Sequence, residues 1–205
     1  MVKPKIILIG GGGHCRACID VIEQENRYTI AGIVERSEFT ESINSFGYPV
    51  IGTDSDLPIL RNSYENALIT VGQITTSKIR SKLFKLLYQL DYNLPVIISP
   101  LAYVSKHASV ETGTIVMHHA IINAGAKVKR NCIINTKALI EHDSVIEDYC
   151  HISTASIING NSTIGKGSFI GSNSAVVNNI QVANNFFAKA LSLISGTISV
   201  TKNSK

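Results

Sequence analysis

Residues 128–152 read VKRNCIINTKALIEHDSVIEDYCHI, and every sixth residue is branched and apolar: Val128, Ile134, Ile140, Ile146, Ile152. Extended from Val104 to Ile194, this ladder has sixteen rungs, of which fifteen are Val or Ile and one is Ala188, although Val and Ile are a minority of the chain. Two residues before each rung stands a mostly small residue, among them Ala126, Cys132, Ala138, Ser144, Cys150 and Ser156, a pattern that weakens at Ile180 and Phe186. A period of six fits neither the 3.6 of a helix nor the alternation of an ordinary strand. It predicts a solenoid of short parallel strands, three hexads to a coil and about five coils, with one branched residue per hexad pointing inward. The small residue is read as the one that lets the chain turn just before a corner. Coils then stack at the strand spacing of about 4.8 Å, so positions three hexads apart lie one above the other.

The rest of the composition agrees. The chain has 205 residues, 44% hydrophobic but only 17% charged, with no Trp and 13 aromatic residues, 7 Tyr and 6 Phe. Its core must therefore be built from β-branched and small side chains, which favours strands. No apolar run approaches the roughly 18 residues of a spanning helix, which argues against a membrane protein. The run Ile6–Ile9 after a basic N-terminus is too short for a signal peptide. With Cys15, Cys18, Cys132 and Cys150 read as free thiols, a cytoplasmic protein is expected. The net charge of +4 is spread along the chain and not massed in a stripe, which suits small anionic ligands better than nucleic acid.

Residues 1–98 follow another rhythm. Ile6–Ile9 reads as a strand, Gly10-Gly11-Gly12-Gly13 as a turn, 15–25 as a helix with Ala17, Cys18, Val21 and Ile22 on one face, and Ile30–Val34 as a second strand ending at Glu35. This is a βαβ unit of the mononucleotide-binding type, a Rossmann-like domain. Backbone N–H groups at Gly12 and Gly13 can approach a diphosphate, whose charge the helix N-terminus favours. Glu35 can accept hydrogen bonds from a ribose or a base. A strand at 67–71 ending at Gly72 and a helix over 76–90 complete the domain. So few residues supply too few strands for a dinucleotide, and a sugar nucleotide is the better-sized ligand.

A small Rossmann-like domain joined to hexapeptide repeats resembles the NeuD/PglD-type sugar acetyltransferases. The matching residues are Gly10-Gly11-Gly12-Gly13-His14, Val71-Gly72 with Arg80, the linker Ile98-Ser99-Pro100, and Asn135-Thr136-Lys137-Ala138-Leu139-Ile140-Glu141-His142-Asp143 through Cys150-His151-Ile152. The resemblance implies a left-handed parallel β-helix over 99–205, a homotrimer with acetyl-CoA bound in clefts between neighbouring prisms, and N-acetylation of a UDP-type amino sugar for surface glycan biosynthesis. The alternatives are O-acetylation of a sialic-acid-type sugar and a non-catalytic sugar-nucleotide-binding protein. It implies His142 as general base and Asp143 as its partner, with Glu141 the competitor for the second role. It further implies His14, Glu35, Gly72 and Asn135 as substrate contacts, His151 as an acetyl-CoA-side residue near the acetyl donor thioester or the bound substrate, and Gly160 as an oxyanion N–H donor on the acetyl-CoA side.

Two departures from the family pattern stand out. Glu35-Arg36 occupies the place of a common Asp-Asp pair, and the C-terminal segment carries no Pro after Pro100. Of the histidines His118, His119, His142 and His151, only His118 and His142, 24 apart, have metal-ligand spacing, so no metal is expected. Cys15-Arg16-Ala17-Cys18 and the Cys132/Cys150 pair are read as packing residues.

Overall fold

The computed structural model describes residues 2–38 and 46–196, so the C-terminal segment from 197 lies outside the described residues. Strand β1 (Lys5–Ile9) leads through the glycine turn into helix α1 (Gly13–Glu25), followed by β2 (Thr29–Val34), β3 (Val50–Gly52), the short helix α2 (Leu57–Leu60), β4 (Asn66–Ile69) and α3 (Lys78–Gln89). The four strands are parallel in the order β3-β2-β1-β4. The connections therefore run in opposite directions from β1, and a crevice opens at the C-terminal ends of the strands. β1 is apolar on both faces because both are covered. Ile6 and Leu8 pack with Cys15, Cys18, Ile19 and Ile22 of α1, while Ile7 and Ile9 pack with Leu83, Phe84 and Leu87 of α3. Helix α1 starts two residues earlier than its apolar pattern suggests, with Gly12 as its N-cap, and ends at Asn26 in the left-handed region at φ 60°.

From Ile97 to Ile194 the chain forms seventeen two-residue strands stacked in three parallel sheets of six, six and five. The first face stacks Ile97–Ile98, Ile115–Val116, Ile133–Ile134, His151–Ile152, Phe169–Ile170 and Phe187–Ala188. The second runs from Tyr103–Val104 to Leu193–Ile194, and the third from Ser109–Val110 to Gln181–Val182. This is the left-handed parallel β-helix. Each strand pairs with the one three hexads further on, as in Ile133 with His151 and Ile140 with Ile158. One rung precedes those read from the sequence, since Ile97–Ile98 already pairs with Ile115–Val116.

The second residue of each strand points inward, and every rung from Val116 onward is buried. The small residues Ala120, Ala126, Cys132, Ala138 and Cys150 share that core. They follow the corner and precede the strand, so the reading that they turn the chain just before a corner is corrected. Their smallness serves the narrow interior.

The turn itself is made elsewhere. From Gly113 to Leu191, every sixth residue has a positive φ between 52° and 77°. Gly and Asn hold eight of those fourteen corners, including Asn131, Asn161 and Asn173, because they adopt the left-handed region at least cost. Asp143, at φ 59°, is one of the exceptions, and Asp tolerates that conformation better than most side chains.

The outward residues differ by face. On the first face Ile97, Ile115 and Ile133 are buried with Met117 against α1 and β1, and this apolar seam joins the two halves of the chain. On the second face Tyr103, Ile121, Ile157 and Leu193 stand exposed, at 58%, 38%, 38% and 70%. The third face is largely polar, with Ser109, Lys127, Thr163 and Gln181 outward.

Candidate active site

A cleft of about 950 Å³ lies where the Rossmann-like sheet meets the first face of the prism. Gly10 to Gly13, His14, Glu35, Gly72, Gln73, Asn135 and His151 all line it. Six of the sequence-derived residues, Gly12, Gly13, His14, Glu35, Gly72 and Asn135, thus meet in one place, together with His151. The last was expected near the acetyl donor or the bound substrate, and its position here follows from the first face: it is the outward residue one coil above Ile133.

His151 is locked in one neutral tautomer. Its Nδ1–H donates to the Gln73 carbonyl at 2.6 Å, and Nε2 accepts from the Asn135 amide at 3.1 Å. Burial lowers its pKa to about 4, against the favourable carbonyl contact. His14, whose Nε2 lies 3.5 Å from Cys18 Sγ, is lowered to about 3 by burial, with Arg80 and His151 adding to the effect. Burial raises the Cys15 thiol to about 11 and pushes the Cys18 thiol up as well, so neither is a ready nucleophile. All four cysteines are free and buried.

Glu35 is committed to the turn. One carboxylate oxygen accepts from Gly11 N–H at 2.7 Å and the other from Arg36 N–H at 2.9 Å. It therefore shapes the glycine turn, and Gly12 and Gly13 line the cleft at the start of α1. Behind the cleft, the fully buried Arg80 donates to the carbonyls of Ile69 and Val71 at 2.8 and 2.7 Å and to Asn131 Oδ1 at 2.6 Å. It ties the end of β4 to a corner of the prism, and desolvation lowers its pKa to about 10.

His142 lies apart from this cleft. It occupies the corner between the second and third faces, the edge opposite the first face. The ring is 65% exposed, with Nδ1 2.9 Å from Asp143 Oδ2. Glu141 instead accepts from Asn123 at 2.8 Å, so Asp143 is the carboxylate that orients the imidazole. With Nδ1 donating to Asp143, Nε2 is the ring nitrogen that the neutral imidazole leaves as an acceptor. The corner above His142 is Gly160, where a Cβ would stand 2.6 Å from Nε2. The corner below Asp143 is Gly125, where a Cβ would collide with Asp143 Oδ1. Two glycines thus clear the space this pair occupies.

A second histidine chain superficially resembles a catalytic triad. His118 bonds Ser99 Oγ at 2.6 Å through Nδ1 and Asp20 Oδ2 at 2.7 Å through Nε2. Ser99 is only 1% exposed and cannot reach a substrate, so the row acts as a clamp between α1 and the prism. Among the described residues no group of three or more His, Cys, Asp or Glu could hold a metal, and no helix is long and apolar enough to cross a membrane.

The PglD N-terminal domain model matches residues 5–87. The acetyltransferase domain of PglB from Neisseria gonorrhoeae is 30% identical, with 97% of this chain and 94% of that chain covered at a TM-score of 0.86. The chain belongs to the NeuD/PglD-type sugar acetyltransferases. It is an acyltransferase of the hexapeptide-repeat superfamily. The same PglB domain has also been solved in complex with acetyl coenzyme A, at 30% identity, TM-score 0.83 and coverage of 94% and 93%. Perosamine N-acetyltransferase from Caulobacter crescentus, solved as a mutant in complex with CoA and GDP-perosamine, is 27% identical, with coverage of 95% and 90% and a TM-score of 0.88. No curated relative matches by sequence. Within this acetyltransferase, Asn131, Gln73, Asp54 and Lys82 were not singled out from sequence. Their roles depend on contacts across elements, and only the six-residue Gly/Asn corner pattern marks Asn131 in advance.

Proposed function

We propose that the protein transfers an acetyl group from acetyl-CoA to the amine of a nucleotide-linked sugar, with His142 as general base. The His142–Asp143 hydrogen bond carries this reading, because it fixes the tautomer that leaves Nε2 free to take a proton. As the amine attacks the thioester carbonyl, Nε2 accepts the amine proton, and Asp143 stabilises the resulting imidazolium. The thiolate of CoA leaves as the tetrahedral intermediate collapses and takes up a proton. The Gly160 N–H, which makes no backbone hydrogen bond among the described residues, is placed to meet the oxyanion.

The Rossmann-like part, ahead of the first rung at Ile97–Ile98, holds the nucleotide and the prism carries the chemistry. Glycine-turn N–H groups and the start of α1 receive the diphosphate, and Asn135 and His151 close the cleft towards the sugar. His142 and this cleft lie on opposite sides of one prism, so the base of one protomer serves the cleft of another. The exposed apolar residues of the second face, which ends at the His142 corner, supply the surface for a homotrimer. Four free cysteines accord with a reducing cytoplasm.

Thiol release from acetyl-CoA tests the proposal, with nucleotide-linked amino sugars and sialic acids as acceptors. Turnover with an amino sugar, lost in His142→Ala while nucleotide binding persists, is the expected result. Turnover only with a sialic-acid hydroxyl would assign O-acetylation, and no turnover with any acceptor would leave a binding protein.

A further inference from the structure

The base end of the cleft carries a recognition pattern of its own. In a Rossmann-like unit the phosphates sit at the turn after β1, the ribose lies towards the end of β2, and the base lies beyond it. Beyond β2 in this sheet is β3, and the first residue after it in the cleft is Asp54, at the head of the single turn Asp54–Asp56. Its neighbour Asp56 is committed to the N–H and hydroxyl of Thr53 at 2.8 and 2.9 Å. Glu35 is committed to Gly11 and Arg36. Asp54 is half-buried, and its carboxylate makes no hydrogen bond or ion pair among the described residues. Lys82 of α3 lines the same cleft, and its charge acts on Asp54, as does that of Arg36 just after β2.

We propose that Asp54 and Lys82 read the Watson–Crick edge of a guanine, so that the sugar is carried on a guanosine diphosphate. This deepens the nucleotide-cleft reading and rests on it, and it replaces the uridine implied by family resemblance. A carboxylate is an acceptor only, with two oxygens spaced to take two parallel N–H donors. Guanine alone among the common bases presents that pair, N1–H beside the N2 amino group, and next to it the O6 acceptor for an ammonium. Uracil offers one N–H flanked by two carbonyls that a carboxylate repels. Adenine and cytosine set a single amino group beside a ring-nitrogen lone pair. Burial and the nearby Glu35 raise the Asp54 carboxyl above its ordinary range, a cost that two N–H donors would relieve.

Calorimetric titration of the intact protein with GDP, UDP, CDP, ADP and 2′-deoxy-GDP tests this. GDP should bind about tenfold or more tighter than UDP, the usual worth of a bidentate base contact. In Asp54→Asn the amide can pair with uracil O4 and N3–H as well as with guanine O6 and N1–H, so the preference for GDP should be lost, while a thermal melt confirms the fold. UDP binding as tightly as GDP to the parent protein overturns the proposal. So does an equal weakening of every nucleotide in Asp54→Asn combined with weak 2′-deoxy-GDP binding, which would place Asp54 on the ribose. If no nucleoside diphosphate binds the folded protein, the cleft reading itself fails and the base assignment falls with it.

Discussion

Replacing Gly160 with Ala tests the role of His142 without touching its side chain. Gly160 has no positive φ, so its backbone accepts an alanine. The new Cβ would lie 2.6 Å from His142 Nε2 and 2.7 Å from Cε1, about 1 Å inside ordinary contact, so the ring must swing away. A displacement of about 1 Å at a reacting group costs on the order of 10²-fold in rate. Losing a general base altogether costs about 10²–10⁴. We expect kcat to fall about 100-fold, some 3 kcal/mol of transition-state stabilisation. The ring is 65% exposed and its pair with Asp143 lies at the surface, so the fold should lose under about 1 kcal/mol. That keeps Tm within about 4 °C of the parent. Alanine retains the Gly160 N–H, so the proposed oxyanion donor survives and the loss reports on His142. Thiol release at saturating acetyl-CoA and acceptor gives kcat, and a thermal melt reports the fold. Activity within threefold of the parent, in a variant whose ring has demonstrably moved, would refute the reasoning.

Mild acid should destabilise the fold. His14 and His151 have folded-state pKa values of about 3 and about 4, below the ordinary 6.5, so the unfolded chain binds protons first and stability falls as pH drops from about 6.5. His151 alone accounts for about 3 kcal/mol between pH 6.5 and 4, visible as a fall in the urea midpoint that His151→Gln reduces. Ile140→Ala opens a cavity at a fully buried rung and should cost about 3 kcal/mol in denaturant unfolding without altering nucleotide affinity. Ile157→Lys places a charge on the exposed second face, and sedimentation should show a folded monomer with little activity if that face joins protomers.

The spine was legible because its physics is local and repetitive. A narrow triangular interior admits one branched residue per hexad, and Ile134, Ile140 and Ile152 record that constraint directly. The corners were equally written in Gly113, Gly125, Asn131 and Asn161, since the left-handed conformation selects those residues, although that pattern is less complete than the ladder of rungs. The His142–Asp143 pair is adjacent in the chain, and so its partnership could be expected where Glu141 competed. By contrast Ile115 and Ile133 look like any outward residue, and only the docking of α1 makes them core. Glu35 reads as a ribose contact from its place after β2, and only its distance to Gly11 N–H shows that it also braces the turn.

The sequence by itself therefore determined the prism, its coil length and the presence of a glycine turn at the head of α1. These are features in which each residue answers to its own backbone conformation or to its counterpart three hexads away. Tertiary structure alone decided which face of the prism is covered, that His151 lies with His14 in the cleft, and that His142 and the cleft occupy opposite sides of one chain. Those outcomes depend on hydrogen bonds and packing between segments well separated along the chain, such as Arg80 with Asn131 and His151 with Gln73, and no local pattern encodes them.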